Sequence, residues 1–190
     1  MKGTHIVTDI CVRIQHPIKI YGAGRDQTIV KGGGFDIRGM KEEGKNVVLK
    51  DMTISKTSGN GVVGLNGLSW LCDSLSITQC RGTGVLAVDT KGILINCVIT
   101  KCRGCGIRSS YGGLIELKGS QTKVDGNGRG TCSGYSINNY GLHLSYTSSI
   151  IHLHFPLTKE SVSTNNHDGR NYGGKGTINQ NSHSMQTLIK

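Results

Sequence analysis

Three stretches of the sequence decide the fold, because they repeat one pattern in register: residues 54–62 (ISKTSGNGV), 77–85 (ITQCRGTGV) and 99–107 (ITKCRGCGI). They lie 23 and 22 residues apart, and each is preceded by a short apolar stretch. A period in the low twenties, with short β-branched runs separated by Gly and Asn, is typical of a solenoid. The Leu pattern of leucine-rich repeats and the long amphipathic runs of helical repeats are missing. The pattern therefore predicts a parallel β-helix, in which each coil contributes two or three short strands.

Stacked coils place equivalent residues about 4.8 Å apart and form continuous apolar ladders. Two ladders are expected from the repeats: Ile54, Ile77 and Ile99, and Val62, Val85 and Ile107. The glycines before the second ladder are expected to have positive φ or to allow a close backbone approach: Gly61, Gly84 and Gly106. The pattern runs from about residue 18 to 155 and predicts about six coils of roughly 22–25 residues. We expect an all-β helix domain over residues 1–162 and a polar, loose or disordered tail over residues 163–190.

The composition limits both the core and the class of protein. Gly takes 29 of 190 positions and only 5% of residues are aromatic, so the core must come from Val, Ile, Leu and Cys. The seven cysteines have apolar neighbours and are expected to be buried, reduced thiols. The net charge is +10, but no two Lys or Arg are adjacent, so there is no basic block. No apolar run is long enough to span a membrane and no secretory signal is visible, which favours an intracellular protein unless the chain is a fragment.

Two further segments resemble a known family. Residues 18–30 (IKIYGAGRDQTIV) and 47–54 (VVLKDMTI) are similar to the opening coil and the next strand of pectin methylesterases, which belong to the pectin-lyase-like superfamily. Both segments are structural in that family and together cover under a quarter of the chain. The resemblance implies that the β-helix is right-handed.

The catalytic residues of that family are absent. Residues 61–64 (GVVG) stand where the family has a Gln-bearing strand, and residues 82–86 (GTGVL) replace its second catalytic aspartate, although Asp73 stands near the position of the first. Hydrolysis of an ester or glycoside needs paired groups within reach of one another, and no acidic pair is in register on adjacent coils. The sequence therefore predicts no catalytic residue, no cofactor and no metal site.

Several other side chains have two interpretations. His143, His152 and His154 are candidate metal ligands, but no carboxylate or Cys has a matching spacing, so an outward strand face covered by the C-terminal tail is the favoured interpretation. Trp70 and Tyr111 have flat rings that suit sugar surfaces, although Trp70 has the surroundings of a core residue. Three asparagines are interpreted as structural turn or ladder residues: Asn46, Asn96 and Asn127.

The predicted stacking also brings basic side chains together. Lysines follow the ladder isoleucines by two residues, and arginines stand two positions further on: Lys31, Lys56, Arg81, Lys101 and Arg103. Like charges about 5 Å apart repel one another unless an anion bridges them. These five residues are therefore the candidate ligand-binding residues, with an ordinary solvated face as the alternative.

Two classes of function remain open. The first is a non-catalytic binding or structural surface, for an anionic polysaccharide or another protein. Nucleic acid is disfavoured because no aromatic side chains are interleaved with the cations. The second is a carbohydrate-active enzyme (a polysaccharide lyase, an esterase or a hydrolase) with an unrecognised site. The missing acid pairs favour the first class.

Overall fold

The computed structural model describes residues 2–40, 45–130 and 139–181, which form a parallel β-helix of seven coils with three short strands each. Coils 1 to 3 contain β1 (Gly3–Ile6), β2 (Cys11–Ile14), β3 (Lys19–Tyr21), β4 (Thr28–Lys31), β5 (Gly34–Gly39), β6 (Val47–Lys50), β7 (Thr53–Ser55), β8 (Val62–Gly67) and β9 (Trp70–Asp73). Coils 4 and 5 contain β10 (Ser76–Thr78), β11 (Val85–Val88), β12 (Lys91–Ile95), β13 (Val98–Thr100), β14 (Ile107–Ser110) and β15 (Leu114–Lys118). Coils 6 and 7 contain β16 (Lys123–Asp125), β17 (Leu142–Leu144), β18 (Ile150–Leu153), β19 (Ser163–Thr164), β20 (Tyr172–Gly174) and β21 (Thr177–Gln180).

The first, second and third strands of the coils form sheets A, B and C, each with seven parallel strands. The two predicted ladders are confirmed. Ile77 pairs with Ile54 on one side and with Ile99 on the other, while Val85 lies in the same way between Val62 and Ile107. These six side chains are fully buried. The core is therefore a stack of aliphatic and Cys side chains that lies inside the three sheets.

The corners between strands use the left-handed backbone conformation at equivalent residues in successive coils. The corner from sheet A to sheet B has positive φ at Lys56, Gln79 and Lys101, and the corner from sheet C to sheet A has it at Asp51, Ser74 and Asn96. Asn96 is thus a turn residue, as expected. The corner residues also continue the pairing between coils, since the amide of Ser74 donates to the carbonyl of Ile95 at 2.9 Å.

The glycines before the second ladder are explained by close packing, which was one of the two expectations. A Cβ on Gly61 would lie 2.6 Å from the carbonyl oxygen of Gly84 and 2.6 Å from Cγ2 of Ile77. Their φ values are not positive; the left-handed residues are the corner residues instead. At these glycines the backbones of neighbouring coils are in direct contact, and a side chain at this position would force the two coils apart.

Residues 163–181 correct the expectation of a loose tail. β19, β20 and β21 form a seventh coil that pairs in parallel with coil 6, so the coil count is seven rather than six. The short helix α1 (Lys159–Val162) precedes this coil and buries Val162 completely. Composition was a poor guide because parallel pairing needs only backbone groups, and few apolar side chains suffice at the last coil. The remaining tail, residues 182–190, lies outside the described residues.

Trp70 is a core residue, 1% exposed, because two glycines leave room for its ring. A Cβ added to Gly64 would overlap the pyrrole edge of the indole, and a Cβ added to Gly92 would overlap its six-membered ring. The interpretation of Trp70 as core is thus confirmed, and its ring is not available to a sugar.

We expect Gly92→Ala to lower the free energy of unfolding by about 1–3 kcal/mol, since overpacking a filled core forces neighbouring side chains to shift. Urea unfolding measures the change. The matched control is Gly59→Ala, where the nearest atom to the added Cβ is Cγ2 of Ile10 at 3.8 Å. Equal stabilities of the two variants would contradict the packing described for Trp70.

Candidate anion-binding surface

Four of the five predicted cations lie in a row at the corner between sheets A and B. The amides of Lys56 and Gln79 donate to the carbonyls of Thr78 and Thr100, both at 3.1 Å, which puts Lys56, Gln79 and Lys101 at equivalent positions. Arg81 and Arg103 are equivalent as well, because their amides donate to the residues that follow Lys56 and Gln79. We call this group of residues in coils 3 to 5 the basic strip: Lys56, Arg81, Lys101 and Arg103.

Lys31 does not belong to the basic strip, which corrects the predicted alignment. Val30, not Ile29, pairs with Ile54, and Lys31 pairs with Ser55. The residue of coil 2 that corresponds to Lys56 is therefore Gly32, which also has positive φ. The step between these two coils is 24 residues rather than the assumed 25, so Lys31 lies on the strand, half-buried.

The basic strip is exposed and has no acidic partner among the residues that the structure describes. All four of its side chains are exposed, and none takes part in a described ion pair. Positive charges on neighbouring coils repel one another, so a bound anion would stabilise this arrangement. The arrangement therefore suits a negatively charged ligand that lies along the helix axis.

A cavity of about 390 Å³ lies at one end of the basic strip. Lys101, Arg103 and the exposed Arg129 line it, together with Asp125 and Asn165. The Asp125 carboxylate accepts hydrogen bonds of 2.8 Å from the Thr164 hydroxyl and the Asn165 amide. Three cations thus face one carboxylate whose Oδ1 is already hydrogen bonded, and the cavity has an excess of positive charge.

A buried polar ladder lies directly under the basic strip and fixes its backbone. Its members are the inward residues at the same corner: Thr57, Cys80, Cys102, Asn127 and Asn166. The Asn127 side chain accepts from the amide of Cys102 at 3.0 Å, and Asn166 accepts from the amide of Asn127 at 3.0 Å. Asn127 is therefore structural, as predicted. The ladder gives the exposed cations a rigid support.

Two buried cysteines, Cys80 and Cys102, lie under this surface. The six cysteines in the described ranges are free thiols. The hydrogen bond with Cys80, together with burial, raises the pKa of the Cys102 thiol well above its usual value. The same hydrogen bond lowers the pKa of the Cys80 thiol. Both side chains are at most 1% exposed, so neither thiol is presented to a ligand at this surface.

The three histidines do not come together. His152 and His154 stack on sheet C with ring centroids 4.6 Å apart, whereas His143 lies on sheet B. His152 is 2.8 Å from the Asn181 side chain and His154 is 3.1 Å from Glu116. Within the described ranges, no group of three or more His, Cys, Asp or Glu is arranged to hold a metal ion. An outward strand face that the last residues partly cover agrees with these contacts.

Asp73 and Tyr111 have partners that the sequence did not indicate. Asp73, the residue nearest to an esterase position, forms an ion pair of 2.9 Å with Lys50 on the outer face of sheet C. Tyr111 is 59% exposed and packs against Tyr146, with ring centroids 4.1 Å apart. The candidate aromatic residue is thus half of a tyrosine pair.

A second cavity, of about 320 Å³, was missed by sequence reasoning. It lies on the outer face of sheet B in coils 5 to 7, and its lining includes Arg108, His143, Tyr146 and Lys175. Arg108 pairs with His143 on the next coil, although 35 residues (143 − 108) separate them instead of the 22 or 23 of the regular repeat. A repeat of 22 or 23 residues does not reveal that pairing.

Glu116 is the most strongly paired carboxylate of sheet C. It forms ion pairs with the ammonium groups of Lys91 at 2.6 Å and Lys118 at 2.7 Å. Burial raises the pKa of the Glu116 carboxyl, but the hydrogen bonds and charges of the two lysines outweigh burial and lower the pKa to about 2. This carboxyl is therefore ionised at neutral pH and does not act as a general acid.

We expect Glu116→Gln to lower the free energy of unfolding at pH 7 by on the order of 1 kcal/mol. The folded-state pKa lies below the unfolded value, so this stabilisation is fully present above about pH 4.5 and is lost as the pH falls towards about 2. Urea unfolding at several pH values should show the difference between wild type and variant shrinking over that range. Asp26→Asn, at an exposed carboxylate, is the control, and a difference independent of pH would argue against the ion pairs.

Comparison with known proteins agrees with the fold. None of the helices in the described ranges is long and apolar enough to cross a membrane.

A search of curated proteins found no match, and no solved structure matches either. A family model described as "Right handed beta helix region" matches residues 10–156, well over half of the chain. The resemblance to right-handed β-helix proteins is thereby confirmed, and the chain belongs to the right-handed β-helix family.

Proposed function

We propose that the protein binds an anionic polysaccharide along the basic strip and does not cleave it. The observation that carries the proposal is the row of four exposed cations on three successive coils, without a described acidic partner. A linear polymer with regularly spaced negative charges is the ligand that matches a linear, repeated positive surface. The ligand's charges offset the repulsion between Lys56, Arg81, Lys101 and Arg103.

The surroundings of the basic strip favour a sugar polymer over nucleic acid. Single-stranded nucleic acids bind where aromatic side chains stack on successive bases. In coils 3 to 5 the outward residues at these corner positions are polar or basic: Lys56, Ser58, Gln79, Arg81, Lys101 and Arg103. The exposed tyrosine pair Tyr111–Tyr146 lies at the other end of the sheet B strands. The basic strip therefore offers charge and hydrogen-bond donors, which suit carboxylate or sulfate groups.

The cavity at the end of the basic strip supports binding rather than hydrolysis. Hydrolysis of a glycoside by the common route uses two carboxyl groups on either side of the scissile bond. Asp125 is the single carboxylate among the described residues that line the cavity, and its Oδ1 accepts hydrogen bonds from Thr164 and Asn165. A polymer bound there would contact cations and one carboxylate that is already hydrogen bonded, so the second carboxyl group needed for hydrolysis is not among the described lining residues.

The test compares the wild type with the variant Lys56→Ala/Arg81→Ala/Lys101→Ala/Arg103→Ala in binding to alginate, heparin, a neutral glucan and single-stranded DNA. We expect the wild type to bind the acidic sugars, with an affinity that falls as salt is added. The affinity of the variant for them should fall at least about tenfold, because four ion pairs of a few tenths to one kcal/mol each are lost.

The matched control removes four exposed cations that lie away from the basic strip: Lys2, Arg13, Lys19 and Lys123, each changed to Ala. It lowers the net charge by the same amount, so any difference between the two variants reports position rather than total charge. Equal binding by both variants, or a preference for DNA, would count against the proposal. Release of unsaturated products or methanol from polyuronates would favour the enzyme class instead.

A further inference from the structure

The cavity on the outer face of sheet B is built by three successive coils. Arg108 of coil 5 pairs with His143 of coil 6, and His143 pairs with Gly173 of coil 7. Because Gly173 has no side chain, the Tyr140 ring lies against its backbone: a Cβ there would overlap the ring. Tyr140 also stacks on His143, with ring centroids 5.3 Å apart. These contacts form the floor of the cavity.

The charge in the cavity is positive. Arg108 and Lys175 line it, and its described lining contains no carboxylate. The Nε–H of Arg108 donates to the Ser145 hydroxyl at 2.8 Å, which orients the guanidinium. An arginine has five N–H donors, and the remaining four have no described partner. A planar guanidinium held in this way is suited to bidentate recognition of a carboxylate or a phosphate.

His143 makes the floor neutral rather than cationic. It is 8% exposed, and its Nδ1 has no hydrogen-bond partner within the described residues. Burial, and then the charge of Arg108, lower the pKa of His143 to about 4. The ring is therefore uncharged near neutral pH, and Arg108 and Lys175 are the charges that a ligand meets.

One wall of the cavity is aromatic. The Tyr146 ring packs against Tyr111, and the two hydroxyl groups are 2.5 Å apart. The pair thus holds Tyr146 beside the two cations as a flat surface with a polar edge. At about 320 Å³, the cavity is near the lower end of the range for small-molecule sites, about 300–1,000 Å³. Its size suits a single ring-sized ligand.

We propose that this cavity binds one small acidic ligand, a six-membered ring that carries a carboxylate or a phosphate, with the anionic group on Arg108 and Lys175 and the ring against Tyr146. The site shares no residue with the basic strip and goes beyond the proposed function. A uronic acid and a sugar phosphate present the same chemistry to these side chains.

The experiment is calorimetric titration of the full chain with glucuronate, glucose 6-phosphate and glucose, supported by the NMR shifts of the Tyr146 ring. We expect at least one of the two anions to bind and glucose to bind at least tenfold more weakly. Stronger binding of glucuronate assigns the site to carboxylates, and stronger binding of glucose 6-phosphate assigns it to phosphates. Equal binding of glucose, or no binding of either anion up to about 10 mM, overturns the proposal.

Variants locate the site. Arg108→Gln should weaken binding of the anion at least tenfold. Lys175→Gln, at an exposed side chain with no described hydrogen bond or ion pair, should weaken it several-fold without affecting folding. Arg81→Gln removes a cation of the basic strip and should leave this affinity unchanged, while polymer binding falls. If Lys175→Gln and a folded Arg108→Gln both bind like the wild type, the assignment is wrong, whatever the polymer experiments give.

Discussion

The in-register parallel pairing of coils is the constraint on which the rest of the structure depends. A single coil buries almost nothing, but Ile77 becomes fully buried when Ile54 and Ile99 pair on its two sides. Pairing also fixes every outward residue, since side chains on a strand alternate between the two faces. A change of one residue in register would move Arg81 relative to Arg103. The core and the charged surface are therefore set by the same backbone hydrogen bonds.

The corners connect this constraint to the proposed function. At the corner between sheets A and B, side chains point outward, inward and outward again, as in Lys101, Cys102 and Arg103. The inward position belongs to the buried polar ladder, whose Asn127 holds the backbone through bonds to the Cys102 amide and the Ile99 carbonyl. The outward positions carry the basic strip. The hydrogen-bonded corner fixes the backbone that carries the cations, so ligand binding has to order their side chains but not the backbone.

Sequence reasoning predicted the fold well where the repeat is regular. Coils 3 to 5 share one pattern, and their ladders and the four cations of the basic strip follow from it. Lys31 was misplaced because Ile29 and Val30 are both β-branched and adjacent, and the pattern alone does not tell which of them points inward. Coil 7 was missed because pairing through the backbone leaves little trace in composition. The pairing of Arg108 with His143 was missed because 35 residues separate them, well beyond the regular repeat of 22 or 23.

The two candidate sites reflect this difference between regular and irregular coils. A regular repeat presents the same positions again and again, so the basic strip can match a polymer but has no feature that selects a single unit. Where coil 6 departs from the regular repeat, the Tyr140 ring packs on Gly173 of coil 7 and lines an open cleft beside Arg108. Arg108 is half-buried there, which strengthens its interaction with an anion, while Lys175 is exposed. We therefore expect a small ligand to bind where the repeat is interrupted and a polymer to bind where the repeat is regular.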